Sequence, residues 1–271
     1  MSESSDYIFS RGTKPLLITM PHTGTAVPPD IAQRLTPEAQ GVPDTDWHIE
    51  KLYAFAHAMG ASVLQATWSR YVVDLNRPPD DQSLYPGQAT TGLCPVTRFD
   101  GGAVYLAGAE PSAAEIAARR ERYWQPWHDK LAATLVELRQ QFPAVVLWDA
   151  HSIRSVLPQF FEGKLPDFSI GTNKGGSCSP EFQKRIADIA RASAPFTAVE
   201  NGRYKGGYIT RHYGAPAQGI HAIQMELTQS AYMTEAPPWP WSASQAADLQ
   251  KPLTAMLECA LAFAEQQSER G

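Results

Sequence analysis

The sequence predicts an α/β fold built on a mixed, mostly parallel sheet, and two observations carry that prediction. Short apolar runs of strand length recur at residues 15–20, 62–67, 71–75, 144–148, 168–171, 196–199 and 221–227. They are rich in Val, Ile, Leu and aromatic residues, and most are apolar at both parities, as suits strands covered on two faces. Helical periodicities fill the intervals between them, and strands alternating with helices imply a sheet sandwiched by helices.

The helices follow in order. Residues 47–60 carry Ile49, Leu52, Tyr53, Phe55, Ala56 and Met59 at helical spacing, with Gly60 placed to end the helix. Residues 112–142 open on the capping-box pair Ser112 and Glu115, and Pro126 should kink or split this helix. Residues 180–192 form a third helix, and 244–267 a fourth with Leu249, Leu253, Met256, Leu257 and Phe263 in register. Two stretches lack periodicity: 77–109, punctuated by Pro and Gly, and 200–219, rich in Gly, Tyr and Arg. Both are expected to be loops that shape a site. Nothing resembles a linker, so residues 1–271 are read as a single domain.

Composition narrows the function. The 271 residues are 43% hydrophobic and 19% charged with a formal charge of -5, which leaves no basic footprint for nucleic acid or an anionic membrane. No apolar stretch approaches the roughly 20 residues a spanning helix needs. The start, MSESSDYIFS, lacks the basic and apolar regions of a secretory signal. Cys94, Cys178 and Cys259 are isolated and odd in number, which argues against disulfides and cysteine metal sites. The expectation is a soluble, cytoplasmic protein.

In open α/β sheets, ligands bind beyond the carboxyl ends of the strands. The run ending at Met20 passes directly into Pro21 and His22, and that ending at Trp148 into Asp149 and His151. The run ending at Leu75 leads to Asn76 and Arg77, and Glu226 sits near the end of the last. Two imidazoles and a carboxylate with an open position are what a catalytic zinc needs. Taken singly, either histidine is more readily structural. No HExxH is present, and Thr25 stands where a His-x-x-Glu pattern would place its carboxylate. The third ligand must therefore come from elsewhere, and Asp44 and Asp46, at the entry to the first helix, are both open. Rival chemistries have less support: residues 175–179 lack the last glycine of a G-x-S-x-G elbow, there is no P-loop or GxGxxG, and Cys94 has no activating charge beside it.

These segments together resemble the N-formylglutamate amidohydrolase family. The resemblance rests on residues 21–24, 44–48 with Leu52 and Tyr53, 70–78, 148–152, 206–211 and 224–227, and spans nearly the whole chain. The family is in turn similar to zinc carboxypeptidases and aspartoacylases, which implies a three-layer α/β sandwich of the phosphorylase/hydrolase-like type. It implies one Zn²⁺ per chain on His22, Asp46 and His151, with Co²⁺ or Mn²⁺ as possible substitutes. Glu226 is then the general base, Arg70 the group that polarises the scissile carbonyl, and Asn76 with Arg77 the holder of a substrate carboxylate. A second carboxylate on the substrate calls for another cation, Arg211 first and Arg154 second. Asp74 and Asp149 are expected to orient neighbouring His or Arg side chains. The implied reaction releases formate from N-formyl-L-glutamate in histidine degradation. The rivals are hydrolysis of another N-acyl acidic amino acid and non-catalytic binding of an acidic ligand.

Overall fold

Seven strands form one mixed sheet in the computed structural model, which describes residues 6–84, 87 and 90–267. They are β1 (Tyr7–Ser10), β2 (Leu16–Met20), β3 (Ser62–Ala66), β4 (Val145–Ile153), β5 (Phe168–Gly171), β6 (Ala198–Glu200) and β7 (Ile220–Thr228). Their spatial order is β1-β3-β2-β4-β7-β5-β6. The pairs β2–β3, β2–β4, β4–β7 and β5–β6 run parallel, while β1–β3 and β5–β7 run antiparallel. The mixed, mostly parallel sheet is thus as the pattern predicts.

The helices are α1 (Pro29–Ala32), α2 (Pro37–Gln40), α3 (Ile49–Leu52), α4 (Ala113–Arg119), α5 (Gln125–Gln141), α6 (Pro180–Ala192), α7 (Tyr208–Tyr213) and α8 (Ala243–Gln266). Strand alternation sorts the core onto two faces. Leu16, Ile18, Val146, Trp148, Ile223 and Met225 pack with side chains of α3, α6 and α8. Leu17, Val145, Leu147 and Ala222 pack on the other face with Leu131, Leu135 and Leu138 of α5 and Ile209 of α7. Both parities are apolar because both faces are covered.

Three expectations are corrected. Residues 71–75 form no strand: the chain turns there, with Val72 N–H donating to Ser69 O over 2.8 Å. The run is apolar at both parities because Tyr71 and Val72 enter one apolar cluster and Val73 and Leu75 another. The helix expected over 47–60 is broken, because His48 takes a left-handed φ of 63° and the chain tightens into a 3₁₀ turn over Ala54–His57. The stretch 200–219 is not all loop, since it holds α7.

The helix expected over 112–142 is split a little before Pro126. A π-helical turn over Arg120–Trp124 separates α4 from α5, and Pro126 lies in the first turn of α5, where its missing N–H is tolerated. Ser112 caps α4 by accepting from Glu115 N–H. The reciprocal half of the capping box is not made, because the Glu115 carboxylate pairs with Arg34 and Arg119. No helix of the described residues is long and apolar enough to cross a membrane.

Candidate metal centre and active site

β4 and β7 are the longest strands, and they run on beyond the end of β2 at the carboxyl edge of the sheet. Their register sets His151 opposite Glu226 and Asp149 opposite Gln224. All four side chains share the face that lower down carries Val145, Leu147 and Ala222. An apolar layer therefore gives way to a buried polar one as the strands leave the sheet. Thr19, on the same face of β2, donates to Asp149 Oδ1 over 2.8 Å.

His22 follows the end of β2, and Asp46 N–H donates to the His22 carbonyl over 3.0 Å, which brings the 44–47 turn against that edge. Asp46 Oδ2 lies 3.1 Å from His151 Nδ1 and 3.7 Å from His22 Nδ1, and it also accepts from Ser152 N–H over 3.1 Å. One donor atom from each of His22, Asp46 and His151 lies within 4.8 Å of the others, and all three residues are buried. The opposite ring nitrogens are held by carboxylates: His22 Nε2 by Asp74 Oδ1 at 2.6 Å and His151 Nε2 by Asp149 Oδ2 at 2.9 Å. Outer carboxylates of this kind fix the tautomer that leaves Nδ1 with a lone pair. Two imidazoles and one carboxylate, each oriented from behind, fit a divalent cation of the zinc type.

The electrostatics fit the same group. Burial disfavours charge on Asp46, yet the imidazoles of His151 and His22 hold its carboxyl well below the usual carboxylate range. Burial likewise opposes charge on His151, but Asp149 and then Asp46 push its imidazole well above its usual value. Glu226 is pushed up to about 8, by burial first and by the charge of Asp46, against the pull of His151 and Arg70. Gln224 Nε2 donates to Glu226 Oε2 over 3.0 Å.

The choice between the two aspartates is visible in their contacts. Asp44 faces away, accepting from Tyr71 Oη at 2.7 Å, Phe99 N–H at 2.9 Å and Arg154 at 3.3 Å. Arg154 is thereby drawn to Asp44 and does not line the cleft that contains the histidines. Arg211 does not line it either; its Nε donates to Gly206 O over 2.8 Å. Arg70, Asn76 and Arg77 do line it. Arg70 donates to Asp74 Oδ2 over 2.6 Å, stacks 4.5 Å from the Phe99 ring centroid, and leaves its buried Nε without a partner among the described residues. Asn76 has its carboxamide committed within the protein, accepting from Ile209 N–H at 2.9 Å and donating to Asp149 Oδ2 at 3.3 Å. Gly207 is required beside it, since a Cβ there would stand 2.5 Å from Asn76 Nδ2. Arg77 donates from Nε to Thr91 O over 2.8 Å and from a terminal nitrogen to Thr91 Oγ1 over 3.0 Å.

The cleft, about 610 Å³ with the open solvent at its mouth included, is also lined by Phe99, Phe160, Arg203, Tyr204, Gly207 and Gln224. Sequence reasoning singled out none of these for the site. Gln224 was within reach of it, being two residues before Glu226 on the same strand face. Arg203 and Tyr204 lie in the aperiodic 200–219 stretch, where nothing in the pattern separates Arg203 from Arg211. His128 has a structural role: buried against Trp124 and Tyr213, its ring is pushed down to about 3 by burial, and its Nε2 lies 2.8 Å from Leu75 O.

Comparison with known proteins bears on what this cleft is. Residues 14–233 match the N-formylglutamate amidohydrolase family. The chain is 47% identical over 262 residues to N-formylglutamate deformylase of Pseudomonas putida, covering 97% of this chain and 98% of that protein. It is 49% identical over 255 residues to N-formylglutamate deformylase of Pseudomonas aeruginosa, covering 94% and 96% respectively. Its fold is similar to the crystal structure of N-formylglutamate amidohydrolase from Ralstonia eutropha JMP134, with a TM-score of 0.80 at 24% identity over 98% of this chain and 99% of that one. A gene product of Agrobacterium tumefaciens gives a TM-score of 0.68 at 18% identity, over 95% and 94% of the two chains. With the match to the family covering most of its length and full-length relatives close to half identical, the chain belongs to the N-formylglutamate amidohydrolase family.

Proposed function

We propose that the protein hydrolyses the amide of N-formyl-L-glutamate to formate and L-glutamate, as a cytoplasmic enzyme of histidine degradation. What carries the reading is that His22, Asp46, His151, Glu226 and Arg70 meet in one cleft of a chain 47–49% identical to N-formylglutamate deformylases. His22, Asp46 and His151 would hold Zn²⁺, which when bound would supply Lewis acidity to the site. Glu226, opposite His151 on the neighbouring strand and buried in the cleft, takes a proton from the attacking water and later delivers it to the leaving amine nitrogen. Arg70 donates to the carbonyl oxygen as negative charge develops there, from a buried position where that donation is strong. Arg77, fixed by Thr91, offers its remaining N–H groups to a substrate carboxylate. Asn76 acts from behind, holding Asp149 and the backbone of α7 in place.

Formate release from N-formyl-L-glutamate by the purified enzyme, before and after chelation, tests this directly. Chelation is expected to abolish turnover and zinc to restore it; formate release indifferent to chelator would sink the metal-dependent reading.

Two further outcomes follow from the carboxylates behind the ligands. Asp74→Asn weakens the hold on His22, and the cation affinity is expected to fall about 10–100-fold in competition with a chromophoric chelator. The metal-free protein should respond to pH in a defined sense. His151 is raised above its unfolded value and Glu226 is raised to about 8, so both bind protons more readily folded than unfolded. Their contributions are present below the unfolded values of 6.5 and 4.5 and are lost as pH rises through the folded ones. The melting temperature of the chelated protein is therefore expected to fall as pH rises from about 6.5 through about 8. Cation affinity should rise over the same interval, because His151 must release a proton to bind. A melting temperature that climbs across this interval would contradict the assignment.

A further inference from the structure

We propose that Arg203 and Tyr204, adjacent on the loop after β6, receive the side-chain carboxylate of the substrate and select a dicarboxylic N-acyl amino acid over its side-chain amide. The inference rests on the functional reading above and names the specificity determinant of the same cleft.

N-formylglutamate carries two carboxylates, and the cleft must meet both. Arg70 is bound to Asp74 and stacked on Phe99 close to the metal ligands, where the reacting amide belongs. Arg77, held by Thr91, can serve one carboxylate. Arg154 and Arg211 do not line the cleft. Arg203 does, and its guanidinium is fixed in place: Nε donates to Phe160 O over 2.8 Å, and its central carbon lies 6.0 Å from the Phe160 ring centroid and 5.5 Å from that of Tyr204. A guanidinium flanked by aromatic rings presents a planar fork that matches a carboxylate.

Tyr204 supplies the second donor. Its ring packs with the apolar cluster of Phe99, Ile153, Leu157 and Leu165, of which Phe99 and Ile153 line the cleft. Its hydroxyl has no hydrogen-bond partner among the described residues, although the side chain stands within the electrostatic reach of Glu226, Arg203, Arg70 and Arg77. Burial, and then the charge of Glu226, push the phenol above its ordinary value, so it is a donor at every physiological pH.

The loop is also held before any ligand arrives. Asn201, at a left-handed φ of 48°, accepts from Thr172 N–H at 2.9 Å and Lys174 N–H at 3.1 Å. Asn173 N–H donates to Lys205 O over 2.6 Å, and Gly207 N–H donates to Gln224 Oε1 over 2.6 Å. Arg203 and Tyr204 are thus pinned to the β5–α6 turn on one side and to β7 on the other. A receptor held this way loses little conformational entropy on binding.

The test compares kcat/KM for N-formyl-L-glutamate and N-formyl-L-glutamine in the zinc-loaded wild type and in Arg203→Met, Arg203→Lys and Tyr204→Phe. The wild type is expected to prefer the glutamate substrate. Arg203→Met should reduce that preference about 10²-fold, chiefly through KM, because one partner of an enclosed charge pair is removed. Arg203→Lys should lie between the two, and Tyr204→Phe should reduce the preference roughly tenfold, for a lost bond to a charged group. Equal melting temperature and zinc content exclude a folding defect, and should Arg203→Met misfold, the lysine and phenylalanine variants decide. A wild type that turns over N-formyl-L-glutamate, with the preference unchanged in these variants, overturns the assignment of Arg203 and Tyr204 alone. A wild type that releases formate from neither substrate overturns the functional reading, and this inference with it.

Discussion

Asp46→Asn is expected to remove the bound cation and the formate-releasing activity together, lowering kcat/KM on the order of 10³-fold or more, since several kcal/mol of charge stabilisation leave with the metal. In the proposed site, Asp46 is the anion set between the two histidines. Its Oδ2 faces both Nδ1 atoms, and its carboxyl is held ionised against burial by those same rings. Asparagine keeps the shape and removes the charge. It also turns a donor toward His151 Nδ1 or toward the Ser152 N–H, which donates to the carboxylate. Zinc stoichiometry by atomic absorption and formate release on the same preparation decide the matter. A variant that keeps full zinc and full turnover would return the ligand role to another carboxylate. His22→Ala provides the independent check, since it leaves Asp46 and its backbone contacts in place.

Glu226→Gln is expected to lower kcat by about 10²–10⁴-fold while zinc stays bound. Glu226 is not in the donor triad; it sits opposite His151 on the neighbouring strand and is supported by Gln224. Glutamine preserves volume and most hydrogen bonding but cannot accept a proton and hand it on. The loss should appear in kcat and in kcat/KM alike, the signature of an interaction made only in the transition state. Wild-type kcat in this variant would remove Glu226 from the chemistry, and ligand binding with unaltered affinity and no turnover in the parent enzyme would favour the non-catalytic alternative.

The parts of the molecule that were legible in the sequence are those governed by a period or by a strand end. The run at 168–171 and the helix at 180–192 coincide with β5 and α6, because uninterrupted burial patterns leave little room for another reading. His22, His151 and Glu226 could be placed at the carboxyl edge for the same reason: each follows or ends an apolar run that only a covered strand explains. The run at 71–75 misled because burial between two clusters in a turn leaves the same imprint as burial in a sheet. The break at His48 left no trace, since a left-handed residue that is not glycine carries no signal in composition. Arg203 was illegible for a different reason. Its place in the cleft comes from Asn201, Phe160 and Gln224, residues far apart in sequence that meet only once β5, β6 and β7 are aligned.

One carboxylate in this site serves two masters. Asp74 holds His22 with one oxygen and Arg70 with the other, it accepts the N–H of Asn76 as well, and Arg77 approaches it to 3.9 Å. A cation on His22 and an anion on Arg70 or Arg77, as proposed, would act on opposite sides of a single buried group. Free energy exchanged through such a link is reciprocal: the factor by which a bound cation tightens the substrate is the factor by which substrate tightens the cation. On the proposed function, occupancy of the cation site and occupancy of the cleft are therefore linked by one factor, read in either direction.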